Sequence, residues 1–431
     1  MMLFALAIVC VMGGAPQSSA LRGGAAEIDL TPPMSMKAAL GGYGERMSRP
    51  ATGVHDPLLA MALVLEESGR RVAIVTADVL AFPPDVRNAL LQRLASGLPA
   101  FDGLILLPSH THAGIDMTAI APRNDLGIPQ LGIFQKELLD FTLERLERLV
   151  RNASQSLVAV KLGWAQARLR GWNQNRRTDG ATVDDTLTVI RCDRLDGRPL
   201  AALVQWTAHP TFLGPADMAF SAGWPGFMRR ELATRIGGGV TTLYANGAQG
   251  DQAPVSRGGA TGYEQAEHYG RDLAGEAYRV WARVGTTARL PIAVAYRPVT
   301  LPERRWHPDF MKTGGAEYGM APEIAQRALD RLAPESTHVS CLRLGDLLIV
   351  GVPGELAAGP GLRLKREART AAHARGAIIG GLADEWISYM LDASEYERGG
   401  YEASVSFYGP TLAQVISREA VEAARAVRKA R

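Results

Sequence analysis

Gly103-Leu104-Ile105-Leu106-Leu107-Pro108-Ser109-His110-Thr111-His112-Ala113-Gly114 is an apolar run that ends in two histidines and a glycine. The run 103–107 reads as a strand. In extended backbone, residues i and i+2 face the same side, so His110 and His112 can enter one pocket. Strand ends followed by glycine-containing loops are where α/β proteins gather functional groups.

Similar runs lie on both sides. Apolar, β-rich stretches occur at 59–66, 71–77, 186–191, 200–206 and 346–352, with a shorter one, TTLYA, before Asn246. Helical periodicity appears at 85–96, 134–151, 224–236, 262–284 and 409–428. The alternation predicts a mixed α/β fold; the expected form is a single large domain layered α-β-β-α, with two central sheets. The segment 303–320 reads as a long surface loop.

The 431 residues are 47% hydrophobic and 21% charged, with a net charge of +3. So small a charge gives no reason to invoke nucleic acid or an anionic membrane. Residues 1–20 read as a signal peptide: Leu3 to Met12 is apolar, and Ser18 and Ala20 suit a signal-peptidase site. The expected location is secreted or periplasmic, with residues 21–431 as the functional domain. No later stretch has the ~18 consecutive apolar residues of a membrane span, so no integral membrane association is expected. Beyond that leader Cys192 and Cys341 remain, and one bridge between them is compatible with an oxidising compartment.

A third histidine, His209, follows the strand 200–206 in WTAHPTF, where Pro210 ends the pairing. Of eight histidines, His110, His112 and His209 share this strand-end placement. Neutral imidazoles on one face suit zinc, which also takes carboxylates or leaves a position open for water. Glu355 follows the strand 346–352 in VPGE; it suits either a metal ligand or the first-turn acid of a helix. In NGAQGDQAP (246–254), Asp251 suits either orienting a histidine or capping a turn.

With these motifs in order, the chain resembles the neutral/alkaline non-lysosomal ceramidase family, zinc amidases that cleave N-acyl sphingosine. SHTHAG is similar to the family's THTHSG, which implies His110 as a zinc ligand and His112 as the neighbouring active-site group. The resemblance further implies His209 and Glu355 as zinc ligands. GLADEWISYMLDASEYERGGYEAS (381–404) resembles the segment with a zinc-bound tyrosine and a second active-site tyrosine twelve residues on, here Tyr389 and Tyr401. NQNR (173–176) carries over Arg176 as a contact to substrate or to developing negative charge.

Two departures stand beside these matches. The family loop GD-x-SP reads Gly250-Asp251-Gln252-Ala253-Pro254 here, so the serine with a nucleophile-like role is replaced by Ala253; Ser256 lies three residues on. The given sequence also ends soon after the tyrosine segment, so the immunoglobulin-like C-terminal domain of many family members is not expected in it. A metallo-β-lactamase pattern would need an Asp where Gly114 stands. The resemblance thus implies a secreted zinc-dependent amidohydrolase acting on a small-molecule or lipid N-acyl substrate. In the expected mechanism Zn2+ is held by His110, His209, Glu355 and Tyr389. His112, Arg176, Tyr401 and Asp251 serve an attack by metal-activated water. The alternatives are a zinc hydrolase of a non-ceramide ester or amide, and a non-catalytic relative that binds a lipid or glycan in the cleft.

Overall fold

A computed structural model describes residues 20–428; all but the last residue of the expected leader lie outside that range. The strands of the two main sheets and the long helices are numbered in chain order. The first sheet contains β1 Arg22–Asp29, β2 Leu59–Glu67, β3 Arg70–Ala77, β4 Gly103–Pro108, β5 Val158–Arg168, β6 Thr186–Arg194, β7 Pro199–Trp206 and β8 Thr241–Asn246. Their spatial order is β8-β7-β6-β5-β1-β2-β3-β4. The second sheet holds β9 Ile292–Thr300, β10 Ser336–Leu344, β11 Leu347–Gly351 and β12 Gly376–Gly380 in that order. Most pairs are antiparallel, but β3–β4, β7–β8 and β11–β12 run parallel.

Period-two alternation builds the layers. Met61, Leu63 and Leu65 of β2, with Leu347 and Ile349 of β11 and Ile378 of β12, enter one cluster between the sheets. The intervening Ala60, Ala62 and Val64 face outward against α1 Val86–Leu94 and α2 Lys136–Gln155. The β6–β8 half of the same face is covered by α3 Gly223–Ile236 and α4 Gly262–Trp281. On the far side of the second sheet, Leu348, Val350 and Ile379 pack on α6 Ala358–Ala372 and α7 Leu412–Ala426, with α5 Pro322–Leu332 beside them. Each fully buried Leu or Ile contributes about 1.5–3 kcal/mol. The result is the expected α-β-β-α arrangement with two central sheets.

The sequence reading lacks β1, β5, β9, β10, β12, α5 and α6. β1 is RGGAAEID, a poor strand former by propensity. Its glycines serve packing, because a Cβ at Gly24 would stand 2.0 Å from the carbonyl of Ala153 in α2. α6 begins Ala-Gly-Pro-Gly, and a Cβ at Gly361 would stand 2.4 Å from Ala248 Cβ. Cys192 and Cys341 are both buried and free, so they form no bridge. The expected surface loop 303–320 is irregular but not superficial: Phe310 is 3% exposed, and Trp306, Phe310, Tyr318 and Met320 face a cavity.

Both sheets end their parallel strands at the same edge. Gly381 N–H donates to Asn246 O (3.0 Å) and Asp384 N–H to Leu106 O (2.8 Å), tying the strand ends of one sheet to the other. A Cβ on Gly380 would stand 2.7 Å from Leu107 Cδ2, so glycine permits that closeness.

Candidate active site

His110 lies two residues beyond β4 with φ +68°, a left-handed backbone rare for a residue with a side chain. Its N–H donates to Val79 O (3.1 Å), and Nδ1 stands 2.7 Å from Leu80 O. Nδ1 therefore carries the proton, and Nε2 presents a lone pair. Past β7, His209 repeats the design: its ring Nδ1 stands 3.2 Å from Gln252 O. Glu355 faces both rings, with Oε2 2.9 Å from His209 Nε2 and 3.4 Å from His110 Nε2. Its other oxygen, Oε1, accepts from Trp386 Nε1 at 2.9 Å.

His112 closes the group. Its ring nitrogens are buried and without a hydrogen-bond partner. The ring lies edge-on to His110 (5.0 Å) and Tyr43 (5.1 Å). Donor atoms of His110, His112 and His209 all lie within 4.8 Å of one another. Gly42 (φ +99°) passes so close that a Cβ there would stand 2.7 Å from the His112 ring.

The electrostatics suit a cation. Burial pushes His112 well down, helped by His110 and His209. Burial likewise lowers His209, to about 4, with Arg176 adding to the effect against Glu355. Burial opposes charge on Glu355, but His110 and His209 outweigh it and hold the carboxyl well below its usual range. Two buried imidazoles thus crowd a carboxylate held in its ionised form. The 2.9 and 3.4 Å separations bracket the edge of a tetrahedron with zinc–ligand bonds of ~2.05 Å, roughly 3.3 Å. His110, His209 and Glu355 fit a divalent ion, and the unpartnered His112 nitrogens fit one too.

Tyr389 pairs in register with Glu355 in a two-residue parallel ladder. Burial and the Glu355 charge push its hydroxyl well up. Arg176 does not reach the cavity wall. Its Nε donates to Glu402 Oε1 (2.7 Å), and its Nη2 to Gly250 O and Tyr389 OH (both 3.1 Å). It thus braces Tyr389 from behind. Tyr401 lines the cavity 6.0 Å, ring to ring, from Tyr389.

Asp251 also lies off the cavity. Its Oδ1 accepts from Ala358 N–H at the start of α6 and from Gln252 Nε2, and its Oδ2 from Asn175 Nδ2 (all 2.8 Å). Its carboxylate binds neither a histidine nor a backbone N–H of the turn that follows; it holds the distant start of α6, and the carbonyl of its neighbour Gln252 orients His209. Ala253 sits in a short ladder with Gln174, and Ser256 is exposed.

The centre opens into a cavity of about 200 Å³ walled by Leu40, Leu80, Met117, Leu131, Phe310, Leu329, Trp386 and Phe407, among others. Tyr43, Asp116, Tyr318 and Trp386 are cavity residues that sequence reasoning missed. Trp386 alone lay inside a quoted motif, and nothing in its spacing marks it as a partner of Glu355.

Fold and site define a class: a large α-β-β-α sandwich whose strand ends bury a histidine–carboxylate centre at the wall of an apolar cavity. The family model described as neutral/alkaline non-lysosomal ceramidase, N-terminal, matches residues 22–227 and 324–417, and the chain belongs to that family. The neutral ceramidase of Pseudomonas aeruginosa is 22% identical over 472 aligned residues, covering 90% of this chain and 69% of that protein. Neutral ceramidase A of Dictyostelium discoideum is 24% identical over 235 residues, covering 48% and 32%. The crystal structure of the Pseudomonas enzyme superposes with a TM-score of 0.81 at 20% identity, over 95% of this chain and 74% of that one. Among the described residues no helix is long and apolar enough to cross a membrane.

Proposed function

We propose that the chain is a zinc-dependent amidohydrolase that cleaves the N-acyl bond of a ceramide-type lipid amide. The observation that carries this is the His110 and His209 pair facing Glu355 at the wall of a largely apolar cavity. His110, His209 and Glu355 would hold the ion, with Tyr389 beside them. Zinc bound there supplies Lewis acidity and water made acidic to a pKa of about 7.

The chain's own residues do the rest. Leu80 O and Gln252 O fix the histidine tautomers. His112, neutral and with both nitrogens free, takes a proton at one of them and returns it to the leaving amine. Tyr401 donates from the cavity wall to the oxyanion. Arg176 acts through the Tyr389 hydroxyl, which it holds in place. Asp251 holds α6 and the Gln252 loop. None of these steps needs a hydroxyl at position 253.

The test is metal analysis of purified protein with an N-acyl amide panel that includes ceramide, for wild type, His209→Ala and Ala253→Ser. Stoichiometric zinc and chelator-sensitive cleavage, both lost in His209→Ala, support the proposal. Ala253 itself favours a second reading, a lipid-binding relative without turnover. That reading predicts thermal stabilisation by lipid with no cleavage. Secretion belongs to the same proposal, and the N-terminus of the mature protein checks it.

A further inference from the structure

Two carboxylates line the cavity among the described residues, Glu355 and Asp116. Glu355 is committed to the histidines; Asp116 is not. It follows His112 by four residues, beyond Ile115, which bridges to both Leu40 and Val79 and so fixes the segment against the wall. Its Oδ1 accepts from Thr118 N–H at 3.0 Å.

The Thr118 side chain adds a second hydrogen bond to the carboxylate. A Cβ on Gly132 would stand 1.8 Å from Thr118 Oγ1 and 3.1 Å from Oδ2, so only glycine lets the chain pass this pair. No cation among the described residues stands within ion-pairing distance. The nearby Arg46 is committed to backbone carbonyls of Gly41, His112, Pro215, Gly214 and Asp217. A carboxylate without a counter-ion in an apolar cavity costs free energy, and burial raises its pKa to about 6. The fold retains a group that lowers its stability in a place where substrate passes.

We propose that Asp116 is a specificity-determining residue whose Oδ2 accepts a hydrogen bond from a hydroxyl on the head group of the N-acyl substrate. The inference rests on the proposed amidase reading and deepens it. A hydroxyl offers one donor to a carboxylate oxygen that keeps a lone pair beside the Thr118 side chain. An ammonium brings three donors, of which this apolar wall would leave some unpaired. Ser48, Thr118, Arg123 and Gln130 line the same cavity, so polar groups are available to orient a polar head group among the apolar side chains.

The test compares two amides of equal chain length, an N-acyl 2-amino-1,3-diol and its deoxy N-acyl alkylamine, on zinc-loaded wild type, Asp116→Asn and Asp116→Ala. Wild type should prefer the diol in kcat/KM by about 10- to 100-fold. Asp116→Ala should bring that ratio close to one, with Asp116→Asn between. An equal loss on both amides, or a ratio that survives in Asp116→Ala, would overturn the assignment. So would a wild-type preference for an N-acyl diamine over the diol. If wild type cleaves neither amide, the amidase reading fails on its own. Binding of the two uncleaved lipids, measured by titration, then decides Asp116 by the same ratio.

Discussion

Glu355 Oε2 lies 2.9 Å from His209 Nε2, although the two residues are 146 positions apart in the chain. With His209 neutral and Glu355 ionised, the pair is incomplete without a cation. Glu355→Gln keeps the shape and removes the charge. Zinc affinity and amide turnover should each fall by roughly 100-fold or more. Metal content after dialysis and turnover at graded zinc concentrations check this.

His112 separates chemistry from metal holding. His112→Asn should retain zinc while kcat drops by about 10²- to 10⁴-fold, the usual contribution of a general acid–base group. Loss of zinc along with activity would instead make His112 a ligand.

Gly42 and Gly69 form a matched pair. Both have positive φ, +99° and +79°, but a Cβ on Gly69 meets nothing within 4 Å, whereas one on Gly42 meets the His112 ring. Alanine at either site should cost about 1–2 kcal/mol of backbone strain. Only Gly42→Ala should also lower kcat. Urea denaturation and kinetics on the two variants read the difference.

Arg176 and Arg177 share Glu402, each at 2.7 Å. Arg176→Met leaves the carboxylate with one partner and should cost about 2 kcal/mol. Adding Glu402→Gln should recover part of that stability but not the activity, because Tyr389 stays unbraced. A double-mutant cycle on both readouts checks the split.

Asp116 gives a pH prediction. Burial pushes its folded-state pKa up to about 6, above the ordinary 3.8 of an aspartate carboxyl. Between those values the folded chain holds a proton that the unfolded chain has released, so stability falls as pH rises through the window. Asp116→Asn should therefore be more stable than wild type at pH 8 by up to ~3 kcal/mol, less whatever water in the cavity screens. The advantage should shrink towards pH 4. Denaturation midpoints at the two pH values decide it.

The sequence by itself determined the mixed α/β class and the histidine positions. Continuous apolar runs such as 59–66 and 71–77 fixed strands that need cover on two faces, and local spacing placed His110, His112 and His209 at strand ends. Motif order brought in Glu355, Tyr389 and Tyr401. Tertiary structure alone decided what those side chains meet. The left-handed turn at His110 and the joining of the two sheets at Gly380 and Gly381 depend on contacts between distant segments, which no local period encodes. Arg176 and Asp251 show the same limit. Their motifs marked them for the site, but their partners, Glu402 for one and the start of α6 for the other, turn them into braces behind it. A side chain's type and place in a motif are local properties, whereas the atom it bonds is fixed only when the sheets close on each other.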